Sequence, residues 1–192
     1  MAAEIYLVRH GETEWNREHR LQGRLDSPLT PQGRAQAHRA GRLLARLGVG
    51  SLPVFVSPLG RTRATLAILG EETALGPVTV EPRLIELSLG SWDGQSLAQI
   101  QARRPDLLAG TTTENWYFRA PDGESLADAS QRLGAWLGER NGPVIAVSHG
   151  MAARVLRAVY LSLPPEAMMD HPLNQNEIWH FHQGTVTELL TD

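Results

Sequence analysis

The segment Ile5-Tyr6-Leu7-Val8-Arg9-His10-Gly11-Glu12-Thr13 decides how this chain folds and where its chemistry lies. Its apolar half predicts a buried strand, and polar residues follow that strand directly. In an open α/β sheet, ligands bind beyond the carboxyl ends of the strands. There Arg9 offers a planar fork of donors for an oxyanion, His10 offers a reactive imidazole, and Gly11 permits a sharp turn. The segment predicts a strand that delivers a histidine to a bound phosphate, although such a triplet alone can also simply end an edge strand.

Length and composition are those of one globular domain. The chain has 192 residues, of which 42% are hydrophobic and 20% are charged, and we expect a single domain over residues 1–192. No apolar run is long enough to cross a bilayer, and the N-terminus lacks the pattern of a signal peptide. We therefore expect a cytoplasmic protein without a membrane partner.

The charged residues narrow the possible chemistry further. All 18 basic residues are arginine, and the sequence contains no cysteine. Disulfides, thiolate nucleophiles, lysine Schiff bases and a Walker-type phosphate loop are therefore excluded. The net charge of −3 and the lack of a basic run predict no nucleic-acid partner. Any anion has to be bound by a few converging arginines.

Strands that alternate with helices predict an α/β fold with a mainly parallel sheet and helices on both faces, which makes three layers. The predicted strands are Ile5–Arg9, Pro53–Ser57, Val78–Glu81 and Val144–Ser148, followed by a C-terminal hairpin of Ile178–His182 and Val186–Leu190. The predicted helices are Pro31–Leu47, Arg61–Leu69, Ser96–Arg104, Glu124–Glu139 and Ala152–Leu161. Thr30 is the expected N-cap of the first helix. The expected core face of that helix contains Ala35, Leu43, Leu44 and Leu47.

Polar groups also follow the other predicted strands. Ser57-Pro58-Leu59-Gly60-Arg61 places an arginine in the first turn of a helix, whose N-terminus already favours an anion, although Arg61 can also be a solvated helix residue. Glu86 lies between apolar residues and suits a general acid, unless it is an exposed loop glutamate. Ser148-His149-Gly150 repeats the strand–His–Gly pattern, although His149 alone can be a histidine bonded to a backbone group. Together these residues are an inventory for phosphoryl transfer through a phosphohistidine.

The combined motifs resemble the histidine phosphatase superfamily, also called the phosphoglycerate mutase-like family, over nearly the whole chain. The matching segments are Leu7–Thr13 with Trp15-Asn16, Leu21–Arg24, Asp26–Thr30, Ser57–Leu59 with Arg61 and Thr65, Glu86 with Gly90, Trp92 and Gly94, Gly123–Ser125 with Arg132, and Ser148–Gly150. Thr62 and Leu66 stand where alanines are usual, and Asp93 replaces a common glutamate.

The resemblance implies a phosphoglycerate mutase-like fold and a phosphatase-type active site. Its catalytic set would be the nucleophile His10, the phosphoryl-binding Arg9, Arg61 and His149, and the acid–base Glu86. The phosphate pocket would be completed by Asn16, Gln22, Gly23 and the backbone around Gly11 and Gly150. The implied substrate is a small phosphate ester, and neither a metal nor another cofactor is expected.

Hydrolysis is the expected reaction. The similar mutases are longer and carry, after the acid motif, an insertion with lysine and paired arginines for the substrate carboxylate. This chain has no lysine, and we interpret Arg103-Arg104 as a solvated helix face. Its size and its Leu-x-Glu…Gly-x-Trp-x-Gly pattern resemble the broad-specificity and alpha-ribazole-type phosphatases. A mutase-type transferase and a non-catalytic phospho-ligand-binding module are the alternatives.

Two further groups have open interpretations. Trp116, Tyr117 and Phe118 lie in a loop-rich insertion, Pro105–Gly123, and are expected either to cap the pocket over the substrate or to anchor the insertion to the core. His180 and His182 share one face of a strand, as metal ligands can. Because the sequence shows no acid cluster near them, ordinary strand histidines are expected.

Overall fold

The computed structural model of the chain describes residues 3–112, 115–164, 167–168, 170–171 and 174–191. The strands in this part are β1 (Glu4–Arg9), β2 (Val54–Val56), β3 (Val78–Val80), β4 (Pro143–Ser148), β5 (Glu177–His182) and β6 (Thr185–Leu190). They form one six-stranded sheet in the order β3-β2-β4-β1-β5-β6. The first four strands run parallel, and the β5–β6 hairpin joins β1 in the antiparallel direction. The predicted sheet and C-terminal hairpin are confirmed.

Most of the helices lie between these strands along the chain. In the described residues they are α1 (Glu14–Arg17), α2 (Pro31–Arg46), α3 (Gly60–Glu72), α4 (Leu97–Arg103), α5 (Pro105–Leu108), α6 (Leu126–Gly138) and α7 (Gly150–Leu161). None of the helices in the described ranges is long and apolar enough to cross a membrane. The insertion predicted as loop-rich contains α5 and one 3₁₀ turn, and its residues 113 and 114 lie outside the described residues.

Alternating side chains of β1 build two separate cores. Ile5 and Leu7 pack with α6 and α7 on one face of the sheet. Tyr6 and Val8 pack with α2 and α3 on the other. This period of two is what a strand buried on both faces requires. The three-layer arrangement is therefore confirmed.

The core face of α2 differs from the prediction. Thr30 caps the helix as expected, since its Oγ1 accepts a hydrogen bond from Gly33 N at 2.9 Å. Ala35 and Leu47 are exposed, however, so those two core assignments were wrong. The buried stripe instead includes Gly41, where a Cβ would lie 2.8 Å from Glu72 Cβ on α3. The small residue lets the two helices approach closely, and this close approach sets which side of α2 is buried.

Candidate active site

Parallel strands bring the polar motifs to one edge of the sheet. β1 ends at Arg9 and β4 ends at Ser148, and these two residues are partners in the strand register. The residues that follow, His10 and His149, lie side by side with ring centroids 5.3 Å apart. The backbone N–H of His10 donates to the carbonyl of Ser148 at 3.1 Å. The expected convergence of these strand ends is therefore found.

A cavity of about 220 Å³ opens at this edge. Eight of the ten predicted site residues line it: Arg9, His10, Asn16, Gln22, Gly23, Arg61, Glu86 and Gly150. The other two are buried. The carbonyl oxygen of Gly11 contacts the His10 ring, and the His149 ring lies beside it. A cavity of this size is smaller than those that hold drug-sized ligands, so it suits a small phosphorylated molecule.

The tautomer of His10 is fixed by its surroundings. Its Nδ1 lies 2.8 Å from the carbonyl oxygen of Gly11, which can only accept, so Nδ1 carries the proton. The Nε2 atom therefore carries the lone pair and accepts a hydrogen bond from Arg61 Nε–H at 3.2 Å. Burial, followed by the charges of Arg61 and Arg9, holds the pKa of His10 well below its usual 6.5. His10 is thus a neutral imidazole with an outward lone pair, as a nucleophile needs.

Gly11 holds this imidazole in place. Its carbonyl holds His10, and its N–H donates to Thr65 Oγ1 at 3.1 Å. A Cβ at this position would lie 2.2 Å from the carbonyl oxygen of Gly33. The Gly11 amide is therefore held within the protein, and that the backbone around Gly11 completes a phosphate pocket stays a prediction.

Arg61 is buried, with 2% of its surface exposed, and is held by several acceptors. Its Nη1 donates to the carbonyl of Leu25 at 2.6 Å and to Asp26 Oδ1 at 2.9 Å, and its Nη2 donates to the carbonyl of Gly23 at 2.8 Å. The interpretation as a solvated helix residue is excluded. Asp26, which also accepts the N–H of Gly60 at the start of α3, was missed as an anchor. Its place in the matched segment Asp26–Thr30 was the available signal.

His149 is fully buried beside His10. Its Nε2 lies 2.7 Å from Ser57 Oγ. Its Nδ1 is buried and has no hydrogen-bond partner among the described residues. Burial, followed by the charge of Arg61, holds the pKa of His149 well below 6.5. If the ring accepts the Ser57 hydroxyl at Nε2, Nδ1–H is left as a donor for a phosphoryl oxygen.

Glu86 is buried, but its carboxyl group is surrounded by polar donors. It accepts backbone N–H bonds from Leu87 at 3.0 Å, Met151 at 3.2 Å and Ala152 at 2.9 Å. The last two amides belong to the first turn of α7, where unpaired N–H groups attract negative charge. The interpretation as an exposed loop glutamate is excluded. The expected apolar environment is also wrong, because these amides, and not the apolar neighbours in sequence, contact the carboxyl oxygens.

The other predicted pocket residues in the segment after β1 are Asn16, Gln22 and Gly23, and their contacts differ. Asn16 accepts at Oδ1 from Gln175 Nε2 at 3.1 Å, which leaves its amide NH₂ to donate. The Oε1 atom of buried Gln22 has no partner among the described residues. Gly23 has φ of +49°, and a Cβ there would lie 1.7 Å from Asp93 Oδ1. Only glycine fits this turn, whose carbonyl holds Arg61.

Gly150 makes room for an arginine. A Cβ at this position would lie 3.3 Å from Arg9 Cζ and 3.4 Å from Arg9 Nε. The guanidinium therefore packs on the backbone at the start of α7. Burial lowers the pKa of Arg9, while the nearby charge of Glu86 raises it.

The aromatic segment both borders the cavity and packs on the core, and that it caps a substrate stays a prediction. Trp116 and Tyr117 line the cavity, and both also pack on the core together with Phe118. Burial raises the pKa of Tyr117 well above 10, so its hydroxyl stays neutral. Phe118 packs on the core without contributing to the described cavity wall.

Sequence reasoning missed two arginines of the cavity wall. Arg20 donates from Nε to the carbonyl of Gly94 at 2.8 Å and stacks on Trp15 at 4.2 Å. Arg154 lines the same cavity from α7, and burial lowers its pKa. The four-residue spacing from Gly150, which puts both on one helix face, was the available signal for Arg154.

Two pairs of residues lie away from the cavity. Arg103 and Arg104 are exposed, and Arg104 pairs with Asp106 at 2.8 Å, as a solvated face does. His180 and His182 lie on β5 with an acid beside them, because β1 brings Glu4 within 2.9 Å of His180 Nε2. The sequence showed no acid cluster near them, and strand pairing brings in this one acid from a distant part of the chain.

Comparisons with known proteins agree with the motifs. A model of the histidine phosphatase superfamily (branch 1) matches residues 5–186. A probable phosphoglycerate mutase GpmB from Erwinia tasmaniensis is 40% identical over 174 residues, which are 85% of this chain and 77% of that protein. The alpha-ribazole phosphatase from Shigella flexneri has a similar structure, with a TM-score of 0.82 at 25% identity over 98% of this chain and 96% of that one. Mycobacterial glucosyl-3-phosphoglycerate phosphatase, solved with VO3, has a TM-score of 0.77 at 30% identity over 97% and 96%.

Proposed function

Because the chain belongs to branch 1 of the histidine phosphatase superfamily, we propose that it is a phosphomonoesterase that acts through a phosphohistidine on His10. The observation that carries the proposal is the fixed tautomer of this residue. Nδ1–H is held by the Gly11 carbonyl, so the lone pair resides on Nε2 at the cavity. The proposed substrate is a small phosphorylated metabolite.

The first half-reaction transfers the phosphoryl group to the enzyme. His10 Nε2 attacks phosphorus, and the bond from phosphorus to the ester oxygen breaks. Glu86 takes the proton of the bound monoanionic ester and gives it to the departing oxygen, so the alcohol leaves neutral. Arg61 Nε–H, which donates to Nε2 at rest, then donates to a phosphoryl oxygen.

The second half-reaction returns the enzyme to its starting state. The Glu86 carboxylate takes a proton from water, and the water oxygen attacks the phosphorus of the phosphohistidine. The bond from phosphorus to nitrogen breaks, and its electrons return to Nε2. Inorganic phosphate leaves with the proton that Glu86 took from water, and Glu86 is again a carboxylate for the next cycle.

Positive charge for both transition states is proposed to come from the protein. Four arginine cations line the cavity, whereas its described wall contains one carboxylate, that of Glu86. The arginines are Arg9, Arg20, Arg61 and Arg154. Buried His149 adds a neutral donor beside them. Guanidinium forks bind phosphoryl oxygens in two-point contacts and strengthen as charge develops. We therefore propose that no metal is needed.

The insertion and the cavity size support a cap over a small substrate. Trp116 and Tyr117 form part of the cavity wall, and Arg20 and Arg154 make the remaining wall basic. We propose that residues 1–192 act as one catalytic domain, with residues 105–123 covering the substrate. A basic wall favours a phosphate ester whose organic part is small and polar.

A mutase-type phosphoryl transferase is the second candidate, because a relative with 40% identity is named a probable phosphoglycerate mutase. Hydrolysis is favoured by the exposure of Arg103 and Arg104, an arginine pair in the region where similar mutases bind a carboxylate. A non-catalytic module is disfavoured by the complete set of residues around one cavity.

The deciding experiment is a phosphatase screen over a panel of phosphorylated metabolites in the presence of EDTA, with phosphoglycerate mutase activity assayed in parallel. We expect release of inorganic phosphate, with mutase turnover at least tenfold slower. Orthovanadate, which mimics the transferring phosphoryl group, should inhibit competitively. Dominant mutase turnover would favour the transferase, and loss of activity in EDTA that zinc or magnesium restores would overturn metal independence.

A further inference from the structure

A second cluster of polar side chains lies at the opposite end of β1. Glu4 on β1 and His180 and His182 on β5 project from one face of the sheet, because Tyr6 pairs with His180 and the other two are each two residues away. One ligand atom from each of the three residues lies within 4.8 Å of the others. At about 3.3 Å per residue, Glu4 is about 20 Å from the catalytic edge.

The distances fit a shared metal ion after small side-chain rotations. Glu4 Oε1 lies 2.9 Å from His180 Nε2, and Glu4 Oε2 lies 3.6 Å from His182 Nδ1. A tetrahedral zinc ion with bonds of about 2.0–2.2 Å needs its ligand atoms about 3.3–3.6 Å apart. The His180 contact must lengthen by a few tenths of an ångström, and the carboxylate must rotate so that one of its oxygens faces both nitrogens, since the two contacts use different oxygens.

Neighbouring groups hold the three side chains in place. The Tyr6 ring stacks on His180 at 4.3 Å between centroids, and His180 stacks on His182 at 5.5 Å. The Tyr6 hydroxyl donates to Glu4 Oε1 at 3.1 Å. Such supporting contacts orient metal ligands before the metal arrives. The cluster is also reachable, since the side chains of His182 and Glu4 are 45% and 28% exposed.

We propose that Glu4, His180 and His182 bind one divalent transition-metal ion of the zinc type, with water in the fourth position. Two neutral imidazoles and one carboxylate are ligands that zinc accepts, and their charge of −1 partly neutralises the ion. On binding, the proton on His180 Nε2 passes to solvent and Nδ1 takes one up from solvent, so the ring stays neutral and the Nε2 lone pair binds the metal. The ion ties β1 to the C-terminal hairpin and takes no part in phosphoryl transfer.

The test is a titration of the metal-free chain, without an affinity tag and in phosphate-free buffer, with ZnCl₂ followed by calorimetry and thermal unfolding. We expect one zinc ion per chain and a rise in the unfolding midpoint. CoCl₂ should give the visible absorption bands of tetrahedral cobalt. His182→Ala and Glu4→Gln should each weaken binding more than about tenfold. His182→Ala removes a largely exposed side chain, so its metal-free form should unfold at the wild-type temperature and keep wild-type activity.

Two control variants locate the bound ion. His38→Ala removes a histidine that contacts a carboxylate elsewhere, with Nδ1 2.7 Å from Glu72 Oε1. His10→Ala removes a histidine of the catalytic cavity. Both should bind zinc as the wild-type chain does. The proposal is overturned if the wild-type chain binds no zinc, if either control loses it, or if His182→Ala binds it with unchanged affinity.

Discussion

Arg61 donates a hydrogen bond from its Nε–H directly to Nε2 of His10, the proposed attacking atom, over 3.2 Å. A cation that occupies the lone pair keeps the imidazole unprotonated, because a proton on Nε2 would have to displace the guanidinium. It also restrains the nucleophile until a ligand arrives. A phosphoryl oxygen attracts Arg61 more strongly than a neutral nitrogen does, so under the proposed mechanism we expect substrate binding to free Nε2 for attack.

The first prediction concerns the protonation of His10. Its pKa lies well below 6.5 because of burial first and the charge of Arg61 second. We expect the imidazole of the free protein to stay neutral throughout pH 5.5–8 in an NMR titration. Arg61→Gln removes the charge but not the burial, so the pKa should rise towards 6.5 without reaching it. A His10 pKa at or above 6.5 in the wild-type chain would contradict this account.

The second prediction compares two arginines of α3. Arg61 is buried against His10, whereas Arg63 is exposed on the same helix. Arg61→Ala should lower kcat on the order of 10²-fold or more, since it removes a charged contact that tightens in the transition state. Arg63→Ala, the matched control, should leave kcat within about twofold. Arg61→Lys should recover only part of the loss, because an ammonium cannot replace the fork that also holds Gly23 and Leu25. Equal and small effects at both positions would exclude the proposed pocket.

Sequence reasoning located this site because strand ends are local features. An apolar run that stops at Arg9-His10, and another that stops at Ser148-His149, predict convergence without any knowledge of packing. The partners of these residues depend on contacts that no local pattern contains. Asp26 reaches Arg61 from a loop 35 residues earlier, and the amides that hold Glu86 belong to a helix 65 residues later.

The same limit explains the errors. Glu86 has apolar neighbours in sequence, yet its carboxyl group meets the N-terminus of α7. Glu4 has no acid or histidine beside it in sequence, yet strand pairing places it against His180. Ala35 lies on the exposed side of α2, away from the side that packs on α3, and Leu47 follows the last residue of that helix.

The third prediction is a covalent intermediate. Rapid quenching of the enzyme with ³²P-labelled substrate should trap label that is lost in acid and kept in base, as for a phosphorylated imidazole. His10→Ala should carry no label, and His149→Ala should still carry it, though it forms more slowly. His182→Ala serves as the matched control, because it removes a histidine outside the cavity and should label normally. Label that persists in His10→Ala would move the nucleophile to another residue.

The fourth prediction concerns stability and pH. Burial lowers the pKa of both His10 and His149 below the value of the unfolded chain, which is about 6.5. Below that pH the unfolded chain binds protons at these histidines and the folded chain does not. The free energy of unfolding therefore falls as the pH drops from 6.5. Each histidine contributes a slope of at most about 1.4 kcal/mol per pH unit. Urea unfolding between pH 7.5 and 5.5 should show this loss, and His149→Gln should reduce the slope. A pH-independent stability over this range would mean that both rings take up protons in the folded chain.

The fifth prediction concerns Glu86 as the proton donor. An aryl phosphate loses its leaving group as a stable anion, whereas an alkyl phosphate needs a proton on the departing oxygen in the transition state. Glu86→Gln removes the acid and should slow phosphorylation by alkyl phosphates far more than by aryl phosphates. The phosphorylation step has to be isolated by a burst measurement, because loss of the base slows dephosphorylation for every substrate.

The structure adds a necessary control to that experiment. In Glu86→Gln, the side-chain amide would turn its NH₂ towards one of the N–H groups of Met151 and Ala152, which share the carboxylate in the wild-type chain. The variant should therefore also have a lower unfolding midpoint, and rates have to be compared well below it. Asp93, whose pKa burial raises, is the alternative acid, so Asp93→Asn is measured alongside and should keep the alkyl-to-aryl ratio of the wild-type enzyme. An equal loss of rate with both substrate types in Glu86→Gln would show that Glu86 only holds the start of α7 in place. A loss of rate with alkyl phosphates alone in Asp93→Asn would assign the proton-donor role to Asp93.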